Sequence, residues 1–280
     1  MVKYKKLKKE RFTPIHILLV IFAVIQLFPL YFMITLSLKG NKEIFGENMI
    51  GLPKVWEFSN YKTALTNGNM LLYFTNSILV TGLTIVLTLL CAVMASYALQ
   101  RMIWRGKEKM NGFFMLGLTV PIHASILPIF LILRNLKMLN SYQALILPYA
   151  AFSLAMAILI CNGFISGIPR ELEESACIDG CNVYGIFVKI IIPLMKPAFS
   201  TVAIFVYLQA WNELMFAVIF ISEEKYRTLT VGIQTLSSAY TTDWGAIGAA
   251  LVVATFPTIL LYFFMSKKIQ ESMVAGAIKG

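Results

Sequence analysis

Four of the fourteen acidic residues in this 280-residue chain crowd into Glu171-Leu-Glu173-Glu174-Ser175-Ala176-Cys177-Ile-Asp179-Gly180, with Arg170, Lys189 and Lys196 as the accompanying bases. Acids just after Ile168-Pro169 suit the positive end of a helix, with Pro169 at a first helical position. Gly180 permits a break, and Asn182 is placed to cap a second short helix ending before Pro193. Two short helices joined by a bend form a docking element for a soluble partner, or, more plainly, a solvated turn with ordinary caps. A second group is Gln209-Ala-Trp211-Asn212-Glu213. Trp211 could stack on a sugar ring while Gln209, Asn212 and Glu213 exchange hydrogen bonds with hydroxyls; equally, the group could hold a helix interface or a gate. Asn76 and His123 are further candidates for a path or gate, His123 as a proton relay or as a hydrogen-bonded structural or pore-lining residue. Cys177 and Cys181 have no nearby His to complete a metal site and read as free thiols.

Enzyme chemistry finds little support. The chain holds no Gly-x4-Gly-Lys-Ser/Thr loop, no Gly-x-Ser-x-Gly and no His-Glu-x-x-His. It therefore has no P-loop for ATP, and a lone Glu213 is not a catalytic constellation.

The elements that position these groups are membrane spans. The chain is 58% hydrophobic and 14% charged, with a mean hydropathy of +0.74. That balance excludes an ordinary soluble domain and with it a nucleic-acid groove. Runs of ~20 apolar residues cross ~30 Å of hydrocarbon. Six are expected: Pro14–Leu38 with a kink at Pro29, Met70–Leu99, Asn111–Leu133, Ala144–Gly163, Pro197–Phe220, and Gly245–Met265 bent at Pro257. With both termini inside, sixteen of the 24 bases fall on inside segments and eight outside, which orients the chain N-in and C-in. The net charge of +10 then reflects topology and the anionic inner leaflet. Residues 1–13 form a basic N-terminus, 14–265 the transmembrane domain with its loop at 166–196, and 266–280 a tail. The first apolar run is too long for a signal peptide and is an uncleaved helix. The small residues Ala92, Ala95, Ser96 and Ala98 predict close helix packing. Lys39–Asn69 is either a small external cap or a plain amphipathic connector.

Glu174-Ser175-Ala176, Gly180 and Ile190-x-Ile192-Pro193 resemble the EAA loop of binding-protein-dependent ABC importer permeases. Ser175 stands for the usual Ala and Ile192 for the usual Leu. The wording from Pro169 to Gly180, Trp211-Asn212-Glu213 and the ending Gly276-Ala-Ile-Lys279-Gly280 resemble the carbohydrate-uptake, maltose-type branch. The resemblance implies an all-α polytopic membrane protein of a bacterial or archaeal cytoplasmic membrane, with a coupling helix-turn-helix between helices 4 and 5. It implies coupling to the ATPase through Glu174, Ser175, Ala176, Asp179, Gly180 and Pro193, and tail contact through Gly276, Lys279 and Gly280. Its implied partners are a homologous second permease, an ABC ATPase dimer that binds the ATP and Mg, and an extracytoplasmic sugar-binding protein. The rival expectations are a secondary transporter, which usually carries internal repeats and intramembrane acids, and a non-transporting scaffold.

Overall fold

The computed structural model describes residues 14–46, 48–237 and 242–277. The regular structure among the described residues is helical, apart from one isolated bridge between Ser237 and Thr242. Four helices are long and apolar enough to cross a membrane: α1 (Pro14–Ser37), α2 (Met70–Gln100), α5 (Gln143–Ser166) and the first part of α11 (Trp244–Ala277). Two further helix pairs pass the same test together but are bent at a break, as a broken span or a re-entrant loop is. In the first, α3 (Lys107–Leu116) with its 3-10 extension turns by 95° into the segment that ends as α4 (Ile126–Asn135). In the second, α7 (Val183–Leu194) turns by 70° into α8 (Lys196–Trp211). Between α5 and α7 lies α6 (Glu171–Ile178), and after α8 come α9 (Met215–Phe220) and α10 (Leu229–Thr235).

Three expectations change. The single third span predicted over Asn111–Leu133 is two pieces, because Pro121 lacks the N–H that would continue the ladder. The fifth span stops at Trp211 and resumes at Met215, so Glu213 occupies a break rather than a helical turn. The second short helix does not end before Pro193 but runs through it to Leu194, over a wide π-type segment at Phe187–Ile191. Such widened turns relieve the clash between a proline ring and the carbonyl four residues back. By contrast, α1 and α11 continue unbroken through Pro29 and Pro257, and α11 extends past the predicted Met265 to Ala277.

The chain divides into two compact units. The larger, Leu65–Thr235 with Ala254–Gly280, is built on α2, which packs along α5 and α8. Small residues are buried along both helices: Ser77, Thr81, Thr84, Thr88, Ala92 and Ser96 on α2, and Ala150, Ala157 and Cys161 on α5, with Ala92, Ala157 and Cys161 in one cluster. Small side chains let the backbones approach, which is how helices associate where the surroundings are as apolar as the interface. Ala92 and Ser96 thus pack as the sequence predicts. One apolar cluster gathers Tyr97, Leu99, Ile158 and Ile165 with residues of α6 and α7; another, further back along α2, gathers Val80, Tyr149, Phe216 and Phe220.

The smaller unit is Met1–Ala64 with Leu236–Val253. Its centre is Lys39, fully buried, whose ammonium donates to the carbonyls of Asn48, Met49 and Gly51 at 2.8, 3.1 and 2.7 Å. Three carbonyl dipoles replace the hydration that burial removes. Asn60 donates to the carbonyls of Ser37 and Lys39, and Tyr61 shares a 2.9 Å hydrogen bond with Ser37. The 39–62 segment is therefore a built structure rather than a slack connector. The start of α11 lies directly on it: a Cβ at Gly248 would come within 2.9 Å of the Ser37 backbone nitrogen. Gly82 on α2, with nothing within 4 Å, serves as control. We expect Gly248→Ala to lower the detergent melting temperature, at a cost of about 1–3 kcal/mol, while Gly82→Ala leaves it unchanged or raises it.

Candidate functional site

The bent acidic segment is held from both sides of its turn. Pro169 lies outside the helix rather than at its first position, and α6 opens after Arg170, whose carbonyl accepts from the amides of Glu173 and Glu174. Glu171, Glu173 and Glu174 fill its first turn, where the helix end is positive. At the other end Gly180 has φ +83°, the left-handed value that side-chain-bearing residues resist. Its N–H donates to Cys177 O at 3.1 Å, and that of Cys181 to Ala176 O at 2.9 Å. This pair of bonds is a Schellman closure. Asn182 Oδ1 then accepts from Gly185 N–H at 2.8 Å and caps α7, as its type and place predict.

One face of this elbow is seated and the other is open. Ala176, Ile186, Ile191 and Met195 are buried against Tyr97, Leu99 and Ile165, and Phe187 packs on Tyr97 with centroids 5.0 Å apart. Glu174, Ser175, Asp179 and Gly180 are exposed. Beside them Ile178 and Tyr184 are 86% and 81% exposed, apolar area of the kind a protein partner covers. Pro193 lies within α7 ahead of the 70° turn into α8. Cys177 is exposed and Cys181 half-buried, both as free thiols. Gly276 lies in the last described turn of α11, and Lys279 and Gly280 lie outside the described residues.

A residue that no local pattern singles out anchors this seat. Arg101, at the end of α2, donates through Nη2 to the carbonyls of Ile165 (2.8 Å) and Ile168 (2.5 Å). Its Nε forms an ion pair with Glu173 Oε1 at 2.8 Å, in contact though not aligned as a hydrogen bond. Both side chains are largely buried, at 8% and 15% exposure. In the sequence Arg101 is one base among four in a short turn, and nothing local points to Glu173.

The candidate path residues are not brought together. Trp211 is buried, stacks on Tyr207, meets Phe74 edge-on and donates its indole N–H to Ala254 O at 3.1 Å. Glu213 accepts from Tyr149 Oη at 2.6 Å and from the amides of Phe216 (2.9 Å) and Ala217 (3.2 Å). Its carboxylate therefore caps α9 across the break. Asn212 is exposed and donates to Leu208 O. Asn76 is buried, accepting from Tyr142 Oη and donating to the carbonyls of Lys225 and Arg227. His123 is exposed at the break before α4. Gln209 alone of the six lines a cleft of about 210 Å3 between α5 and α8, where it accepts from Ser153 Oγ at 3.1 Å among Met156, Ile160, Phe205 and Val206.

Asn76 belongs to a staple joining the start of α2 to the 222–229 segment. Glu224 accepts there from Asn69 Nδ2 (2.6 Å) and Tyr73 Oη (3.0 Å), and Ser77 Oγ accepts from Leu229 N–H. The Asn69 bond and then that of Tyr73 hold the Glu224 carboxyl below its ordinary 4.5.

Long apolar helices, breaks capped from within and an acidic elbow with one open face define a polytopic membrane protein. The model of the family described as binding-protein-dependent transport system inner membrane component matches residues 85–274. The chain is 35% identical to the probable ABC transporter permease protein YurM of Bacillus subtilis over 96% of its own length and 89% of that protein's. It is 33% identical to the diacetylchitobiose uptake system permease protein DasC of Streptomyces coelicolor, covering 90% of this chain and 92% of that one. A chain of a bacterial ABC transporter involved in the import of the acidic polysaccharide alginate shares its fold, with a TM-score of 0.81 at 24% identity over 90% of this chain and 94% of the other. The chain belongs to the binding-protein-dependent transport system inner membrane component family. It is a multi-pass permease subunit of the inner membrane.

Two outcomes follow. Gly180→Ala strains the turn by about 1–2 kcal/mol and should speed amide exchange at Cys181 about tenfold, read by mass spectrometry. Because the Glu224 carboxyl is held low, its contribution is present above 4.5 and lost as pH falls through its folded value. The melting temperature should therefore fall on acidification more steeply in the wild type than in Glu224→Gln.

Proposed function

We propose that this permease carries a sugar or oligosaccharide inward as one subunit of an ATP-driven ABC importer. The four long helices, the α3–α4 pair taken as one span, and α8 with α9 make six, with both termini and the 166–196 elbow, α7 included, on the cytoplasmic side. The observation that carries the reading is the elbow itself: a shape fixed by Gly180 and Asn182, seated on the bundle by one face and presenting Ile178, Tyr184, Glu174 and Asp179 on the other. An ABC ATPase dimer grips that outer face and supplies the ATP and Mg chemistry that this chain has no P-loop to perform. Glu174, Ser175 and Asp179 make polar contacts, Ala176 plants the helix, and Gly180 and Pro193 set its angles. The tail residues Gly276, Lys279 and Gly280 reach the same ATPase. Closure of the dimer moves the elbow as a body, and the bend before α8 carries that motion into the spans.

A second, homologous permease completes the pore, and an external binding protein delivers substrate. The carbohydrate class is supported by DasC, whose name specifies diacetylchitobiose, and by the resemblance carried in Trp211-Asn212-Glu213. The cleft where Ser153 and Gln209 meet is where a sugar hydroxyl would find polar atoms on this chain. The test is uptake by the assembled complex in proteoliposomes, using a panel of neutral, N-acetylated and acidic oligosaccharides. Sugar-dependent stimulation of ATP hydrolysis is expected, and it collapses in Glu174→Ala with membrane insertion intact. Uptake driven by an ion gradient without ATP would instead mark a secondary transporter, and neither activity a scaffold.

A further inference from the structure

We propose that Arg101 is the positioning residue that makes the elbow a rigid lever, by locking the short link between α5 and α6. This inference rests on the importer reading above and concerns how force passes through the chain. Covalently, α6 hangs from α5 by Gly167-Ile168-Pro169-Arg170; the first two residues of this link bond back to the carbonyls of Phe164 and Ile165, which leaves Pro169-Arg170 as the hinge. Arg101 closes that hinge. One guanidinium nitrogen takes the carbonyl of Ile165, in the last turn of α5, and that of Ile168, in the middle of the link. Another takes Glu173, in the first turn of α6. The three anchor points therefore bracket the link, and the residue holding them terminates a third helix, α2.

The chemistry suits Arg and no other side chain. Carbonyls at a helix C-terminus are electronegative and leave acceptors without helical partners. A planar guanidinium with five N–H groups can serve two carbonyls and a carboxylate at once, whereas a lysine ammonium is a compact point charge. Burial is what makes the arrangement stiff: removing one partner strands the other as an uncompensated charge. The acids of α6 also divide by direction. Glu173 turns inward to Arg101, with the Tyr97 hydroxyl beside the same carboxylate, while Glu174 remains exposed on the outer face. A push on the outer face is thereby delivered to the ends of α2 and α5 together, as well as through the bend into α8.

The test uses the whole complex, purified by a tag on this chain and reconstituted with its binding protein and the same sugar panel. Sugar uptake and ATP hydrolysis are measured per assembled complex. In Arg101→Gln and Glu173→Gln, basal hydrolysis is expected to persist while uptake per ATP falls about tenfold. Arg101→Lys, which keeps the charge but not the fork, should recover part of the loss. An unchanged uptake per ATP in both neutralised variants, with any deficit following the amount of complex assembled, would reduce Arg101 to a fold-stabilising residue and overturn the proposal. If Arg101→Gln fails to assemble, Glu173→Gln, which removes the charge while preserving the shape, decides alone. A wild-type complex without sugar-stimulated hydrolysis would overturn the importer reading, and the lever with it.

Discussion

Glu213 shows the constraint under which the whole bundle is built. Its carboxylate takes the Tyr149 hydroxyl and two amides at the start of α9, and its own carbonyl accepts from Thr230 at 2.8 Å. Within hydrocarbon, water cannot satisfy a freed peptide group, so a span can break only where the protein itself supplies the missing partners. The interruption at 212–214 exists because an acid, a tyrosine and a threonine from three different segments converge on it. Burial inside the protein sets a similar demand elsewhere: Lys39 is held by three carbonyls, and Asn76 staples the 225–227 backbone to α2.

That constraint also separates rigid regions from places where motion can enter. The α2–α5–α8 bundle is closely packed through small residues and has few polar demands left open. Direction changes fall at discrete points: 95° between α3 and α4, 70° between α7 and α8, and the turn at Gly180. The seat of the elbow on Ile165, Leu99 and Tyr97 gives it a foundation, and the bends give displacement somewhere to go.

The polar residues near the 209–213 segment are instructive because residue type alone points them toward ligand. An aromatic next to an amide and an acid fits sugar recognition as well as it fits helix capping. In the fold Trp211 is enclosed by Tyr207 and Phe74, Glu213 turns to α9, and Gln209, one half-turn earlier, faces the cleft with Ser153. Neighbours in sequence therefore serve different tasks, because successive helical positions point about 100° apart and Glu213 lies beyond the helix end.

Much of this protein was determined by local sequence. Apolar runs set the spans, since hydrocarbon thickness imposes their length. Gly180 and Asn182 set the bend and its cap, since left-handed backbone and N-capping are properties of single residues. Local pattern could not set what depends on distant partners. Arg101 and Glu173 stand 72 positions apart and carry no mutual signal until α2 and α5 pack and bring them to 2.8 Å. The break at Glu213 waited on Tyr149, and the run through Pro193 waited on a widened turn, so the fifth span and the second short helix were both drawn too simply. Hydropathy registers what a residue contributes to its surroundings, whereas only tertiary packing decides which polar groups those surroundings contain.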